Sequence, residues 1–145
     1  MFIDLYVFLV GLLGGVSVGL QAPIAGAMSQ KLGGAAGSFI VHVGGAILSG
    51  ALLFLRGGEK IREWSTLPWY MLGSGFFGLV LYLTISYTLP RLGSATMVAL
   101  IIVGQLLMGI LIDQFGWFGV QPHPVSGGRI IGLLLLMAGG YLISR

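Results

Sequence analysis

The sequence predicts an all-α integral membrane protein with five transmembrane helices. Three observations predict it. Of 145 residues, 57% are hydrophobic and only 8% charged, with a mean hydropathy of +1.03, whereas a soluble domain needs roughly 25% charged residues to hydrate its surface. The apolar residues fall in runs near the length of a membrane-crossing helix, and runs such as Ile130 to Gly139 lack the period-two alternation of a barrel strand. The 26 glycines would weaken soluble helices but let bilayer helices approach closely.

A hydrocarbon core about 30 Å thick takes roughly 20 helical residues. The first span is expected over residues 2–28, interrupted by Gln21 and Pro23, with Gly11, Gly15 and Gly19 forming a packing stripe on one face. Ala25-Gly26-Ala27 imitates a signal-peptide cleavage site, but no positive charge precedes the long apolar run, so a retained helix is expected. Lys31-Leu32-Gly33-Gly34 closes this span, and the second covers residues 36–55, closed by Arg56-Gly57-Gly58. Residues 59–64 form the charged cluster of a hydrated interfacial turn, with Trp64 and Trp69 in the aromatic belt. The third span runs over residues 68–89, and Pro90-Arg91-Leu92-Gly93 separates it from the fourth, residues 93–115. A second interfacial loop, with Trp117, Pro122, His123 and Pro124, leads to a short fifth span, residues 128–143. Its Gly128 and Gly132 share a face suited to helix packing. Together these make one membrane domain over residues 1–145.

Composition also excludes function classes. Without cysteine there is no disulfide, thiolate nucleophile or thiolate metal site. Two histidines and four scattered acids argue against a zinc or two-metal enzyme, so no cofactor, no metal and no enzymatic activity are expected. The net charge of +3 and pI near 9.6 come from single basic residues at the flanks of apolar runs. That placement fits the bilayer as the partner and not nucleic acid. Gly73-Ser74-Gly75-Phe76-Phe77-Gly78 formally matches a dinucleotide-binding glycine motif, but no strand precedes it.

With five spans the termini face opposite sides. One side collects Arg56, Lys60, Arg62 and Arg129, the other Lys31, Arg91 and Arg145, almost no positive-inside bias. Such balance suggests insertion in both orientations and an antiparallel homodimer, the inverted-repeat logic of many transporters made from two chains; the alternative is a weakly biased protein held one way by translation order or by a partner.

A polar side chain at mid-span in hydrocarbon needs a partner or a function. Gln21, beside Pro23, either lines a substrate site at a broken helix or caps the carbonyl that proline leaves open. His42, within the second span, carries an imidazole, the side-chain type suited to taking and releasing protons, and is a candidate for proton coupling, or donates to a backbone carbonyl. Asp113 opposes the dipole at the end of its helix, which calls for a partner, either Arg91 or Arg129 as an interfacial charge pair or gate, or a cation at the pore mouth. Gln105, at the centre of the fourth span, joins Tyr82 and Tyr87 as a midplane substrate-binding pocket suited to an organic cation or planar metabolite, or glues helices together. Asp4 sits where the helix dipole welcomes it.

Pro68-Trp69-Tyr70, Gly78-Leu79-Val80-Leu81-Tyr82, Leu89-Pro90-Arg91-Leu92-Gly93, Val103-Gly104-Gln105-Leu106 and Leu111-Ile112-Asp113-Gln114-Phe115-Gly116 follow in that order, closed by Arg129-Ile130-Ile131-Gly132 with Ala138-Gly139. In combination they resemble the YdcZ (DUF606) family of small bacterial inner-membrane proteins, in the drug/metabolite transporter superfamily. Gln21 stands where the family has its Gln. Ala25 stands near the position where many members carry Asn, which this chain lacks altogether. The resemblance implies a five-helix half-transporter, one repeat of the superfamily fold, that pairs in opposite orientations to export a small metabolite or drug-like molecule. It is similar in principle to the small multidrug resistance proteins, but the first span, Val10 to Leu20, lacks their buried Glu. A non-transporting scaffold or accessory subunit is the alternative. The charge balance has a direct consequence: reporters fused to the C-terminus should be detected on both sides of the membrane, and a reporter confined to one side would contradict dual insertion.

Overall fold

The computed structural model describes the backbone of residues 2–145 and side chains from Leu5 onward; the Asp4 side chain lies outside the described residues. The chain is helical, in the order α1 (Phe2–Leu32), α2 (Gly34–Leu55), a 3-10 turn (Ile61–Thr66), α3 (Trp69–Leu72), α4 (Gly75–Phe115), a second 3-10 turn (Trp117–Gly119) and α5 (Gly127–Ile143). Three stretches, Leu5–Leu32, Gly34–Leu55 and Trp69–Phe115, are long and apolar enough to cross a membrane, and Gly127–Ile143 is a shorter apolar helix.

Two of the breaks share a sequence and a backbone shape. Lys31-Leu32-Gly33 and Arg91-Leu92-Gly93 each place a basic residue and a leucine before a glycine. Gly33 adopts φ 88°, ψ 153° and Gly93 φ 74°, ψ 168°, a region open essentially to glycine alone. Each Gly therefore stops one helical path and starts another. At 41 residues and a 1.5 Å rise, an unbroken α4 would be about 60 Å long, twice the hydrocarbon core. Gly93 divides it into two arms, each about long enough for one crossing.

One expectation needs correction. α1 is not interrupted at Gln21 and Pro23 but continues through both to Leu32. Proline's fixed φ is itself helical, and the ring removes one backbone bond. Breaking the helix there would strand several more backbone groups where lipid offers no partner.

The chain forms two compact units, Met1–Pro90 and Arg91–Arg145. In the first, α1, α2 and the first arm of α4 pack near the Gly33 turn. Ala22, Ala25, Gly26 and Ser29, all buried, line one face of α1 at three- and four-residue spacing. Against them lie Gly37 and Ser38 of α2 and Tyr82 and Ile85 of α4, also buried. A Cβ on Gly26 would run into Leu89, and one on Gly37 into the Tyr82 hydroxyl and ring. The small residues are what let these helices close.

Gly11, Gly15 and Gly19, expected to pack within the subunit, instead have no other atom within 4 Å of where a Cβ would stand. The used stripe begins a turn later, at Ala22, because the contacts cluster at the turn joining α1 to α2. In the second unit Gly132 is equally open, and Gly128 meets only Ser126 Oγ, at 3.9 Å; Met97 is almost fully buried. Gly37→Ala should therefore cost about 1–3 kcal/mol by overpacking a rigid ring, read as a lower unfolding temperature in detergent. Gly15→Ala should leave that temperature unchanged or raise it.

Candidate functional site

Polar chemistry in the first unit runs along the packed seam. The Tyr82 hydroxyl, in a residue only 4% exposed, donates to the Ala25 carbonyl at 2.8 Å. That carbonyl already takes the amide of Ser29 in the α1 ladder, so both of its lone pairs are used. The Ser29 hydroxyl, which would ordinarily fold back on this same carbonyl, is buried without a partner among the described residues. One turn along, Gln30 Nε2 donates to the Ser86 carbonyl at 3.1 Å, again joining α1 to α4.

On α2, His42 lies one turn after Ser38. Its Nδ1 is 2.7 Å from the Ser38 carbonyl and 3.2 Å from the Ser38 hydroxyl. A carbonyl oxygen only accepts, so Nδ1 carries the proton in that bond. Nε2 is then the basic nitrogen in the neutral ring. It points at Gly78 of α4, where a Cβ would come within 2.7 Å of it. The backbone donation foreseen as one option for His42 is thus present, and it fixes which nitrogen remains to take a proton.

In the second unit, Asp113 Oδ2 pairs with Arg129 Nη1 at 2.9 Å, which selects Arg129 of the two expected arginines. Arg129 Nη1 also donates to the His123 carbonyl at 3.3 Å, while the His123 amide donates to the Asp113 carbonyl at 2.8 Å and the Val125 amide to Gln114 Oε1 at 2.8 Å. The Ser126 hydroxyl accepts from the Arg129 amide at the start of α5. The charge pair is therefore the centre of a clamp that ties residues 116–126 to the end of α4. The adverse position of Asp113 at the negative end of its helix is compensated by a cation at the start of the next. Sequence reading missed Gln30, Ser38, Ser86, Gln114 and His123 as partners. Only Ser38 carried a signal, its four-residue spacing from His42.

The other expected site residues are not drawn together within either unit's packed interior. Gln21, Tyr87 and Gln105 are exposed on the surface of the chain, whereas Tyr82 is buried and its hydroxyl is engaged with Ala25. Arg91 stands at the start of the second unit. Among the described residues, no three His, Asp or Glu side chains gather where they could hold a metal ion.

Comparison with known proteins decides what this helical, apolar chain is. The model of the family described as "Putative inner membrane exporter, YdcZ" matches residues 6–142. The chain belongs to the YdcZ family. It is accordingly an inner-membrane protein, and its long apolar helices fit that place. A curated relative, the inner membrane protein YdcZ of Escherichia coli (strain K12), is 33% identical over 87 residues, covering 60% of this chain. The match spans 54%, about half, of that relative's length. No solved structure matches the chain. For the YdcZ-family seam, Tyr82→Phe should lower stability by about 0.5–1.5 kcal/mol through loss of one buried hydrogen bond. Chemical denaturation in detergent would check this, and an unchanged midpoint would show that the bond contributes nothing.

Proposed function

We propose that this chain is one subunit of an inner-membrane exporter that moves a small metabolite or drug-like organic molecule by alternating access. It works as an antiparallel homodimer whose two copies each contribute five spans of a single membrane domain. The observation that carries the proposal is the family match over residues 6–142, to a family described as an exporter. One feature of the chain supports the paired form. Gln21 and Gln105 lie exposed on apolar helices with no side-chain hydrogen bond among the described residues, and an amide facing hydrocarbon is costly unless something covers it. A second, oppositely inserted copy would cover such groups and build the inverted symmetry around which transporters alternate.

In this reading Gln21 and Tyr87 of the first unit and, separately, Gln105 of the second supply hydrogen bonds and a ring face to the substrate, and Tyr82 holds α1 against the first arm of α4. The Asp113–Arg129 pair is the interfacial gate. His42 couples transport to protons through Nε2, since Nδ1 is committed to Ser38. The non-enzymatic character expected from the sequence agrees with a transport role.

The test begins with a thermal-shift screen of metabolites and cationic drugs on purified protein, with hits carried into proteoliposomes. Flux of a stabilising compound, reduced by Gln105→Ala, is the expected result; binding without flux would contradict the proposal and favour a scaffold. His42→Gln should remove the dependence of flux on an imposed pH gradient. PH-driven flux that persists in that variant would rule out the coupling role.

A further inference from the structure

Unit Arg91–Arg145 contains a groove of about 380 Å³ lined by Leu106, Gly109, Ile110 and Asp113 of α4 and by Arg129, Gly132 and Leu133 of α5. The α4 positions recur at three- and four-residue spacing on one face, and so do those of α5. The groove exists because Gly109 and Gly132 have no side chains; a Cβ at either would meet nothing within 4 Å. From Asp113 at the end of α4 it runs inward past Leu106, about 10 Å at the helical rise. One end is ionic and the rest apolar, so in an inner-membrane protein the ionic end belongs at the headgroups and the rest in hydrocarbon.

The ion pair at the mouth is only half used. Asp113 is engaged through Oδ2, and Arg129 through Nη1, which serves both Asp113 and the His123 carbonyl. Asp113 Oδ1 and the Arg129 Nε and Nη2 donors make no further hydrogen bond among the described residues, and the two side chains remain 30% and 38% exposed. An open carboxylate oxygen and open guanidinium donors therefore stand side by side above an apolar channel. Arg recognises phosphate through such paired donors, and a carboxylate accepts from a primary ammonium.

We propose that this groove binds one phospholipid with a zwitterionic, primary-amine headgroup. The phosphate lies on Arg129, the ammonium on Asp113, and one acyl chain lies between α4 and α5 over Gly109 and Gly132. A purely anionic lipid would satisfy Arg129 but bring no cation to Asp113, and a lipid with a quaternary amine would offer Asp113 no N–H donor. The apolar contacts add little preference by themselves, because lipid tails are as well solvated by the bilayer. Selectivity resides in the headgroup.

Native mass spectrometry of the purified protein, titrated with phosphatidylethanolamine, phosphatidylcholine and phosphatidylglycerol of matched acyl chains, reads this directly. Phosphatidylethanolamine should be retained most strongly, and Arg129→Gln should weaken its retention about ten-fold or more, as expected for loss of charge-assisted hydrogen bonds. The double variant Gly109→Leu/Gly132→Leu, at positions where an added Cβ meets nothing within 4 Å, puts side chains into the groove and should weaken it too, while glycerophosphoethanolamine, which has the headgroup but no acyl chains, should fail to compete. Equal or stronger retention of phosphatidylglycerol would overturn the headgroup assignment. Competition by glycerophosphoethanolamine, or unchanged retention in the double-leucine variant with helical circular dichroism intact, would overturn the groove. A double-leucine variant that altered the dimer population and left lipid retention alone would instead mark this face as a contact between copies, and would also overturn the proposal.

Discussion

Lipid gives an unpaired polar group no second chance, and the bond from the Tyr82 hydroxyl to the Ala25 carbonyl is where this chain meets that constraint most directly. A tyrosine this large reaches the α1 backbone only because α1 presents Ala22, Ala25 and Gly26 and α2 presents Gly37. A Cβ on Gly37 would run into the ring and its hydroxyl, and one on Gly26 would run into Leu89 of α4. Small residues and a buried hydrogen bond are thus one device, and they hold the three helices around the Gly33 turn.

Away from that turn the same helices are bare. From Leu5 on, the first half of α1 is exposed almost throughout, as is the second half of α2, and Gly11, Gly15 and Gly19 have open space in front of them. Lipid is an adequate partner for the apolar side chains there. It is a poor one for Gln21 and Gln105, and this contrast between satisfied and unsatisfied surface is the physical basis for proposing a second copy. The Asp113–Arg129 clamp shows the opposite treatment of polarity: charge is kept at a helix end, paired, and used to tie down a loop.

Much of the helical layout was legible in the sequence because its signals are local. Gly33, Gly57, Gly58 and Gly93 fall where the chain needs positive φ, and apolar run length marked the helices. Asp113 announced a cationic partner through its bad position on the dipole, and Arg129 supplies it. What was not legible depended on which faces meet. Pro23 looked like a break but is carried through by a helix with no cheaper alternative, and the glycine stripe with the clearest spacing is not the one packed within the chain. Tyr82 and Gln105 read alike as mid-span polar residues. Only the fold separates the one that is buried and bonded from the one left open.

Oppositely inserted copies leave a geometric signature. When the two-fold axis lies in the membrane plane, a residue lies near its own counterpart only at mid-depth, whereas parallel copies bring like residues together along the whole helix. The chain has no cysteine, so single cysteines introduced along the bare face of α1 and at Gln105 can be cross-linked in membranes without background. Disulfide-linked dimers confined to mid-span positions are the predicted result. Links of equal yield at both ends of the helix would contradict the antiparallel pair on which the functional account rests.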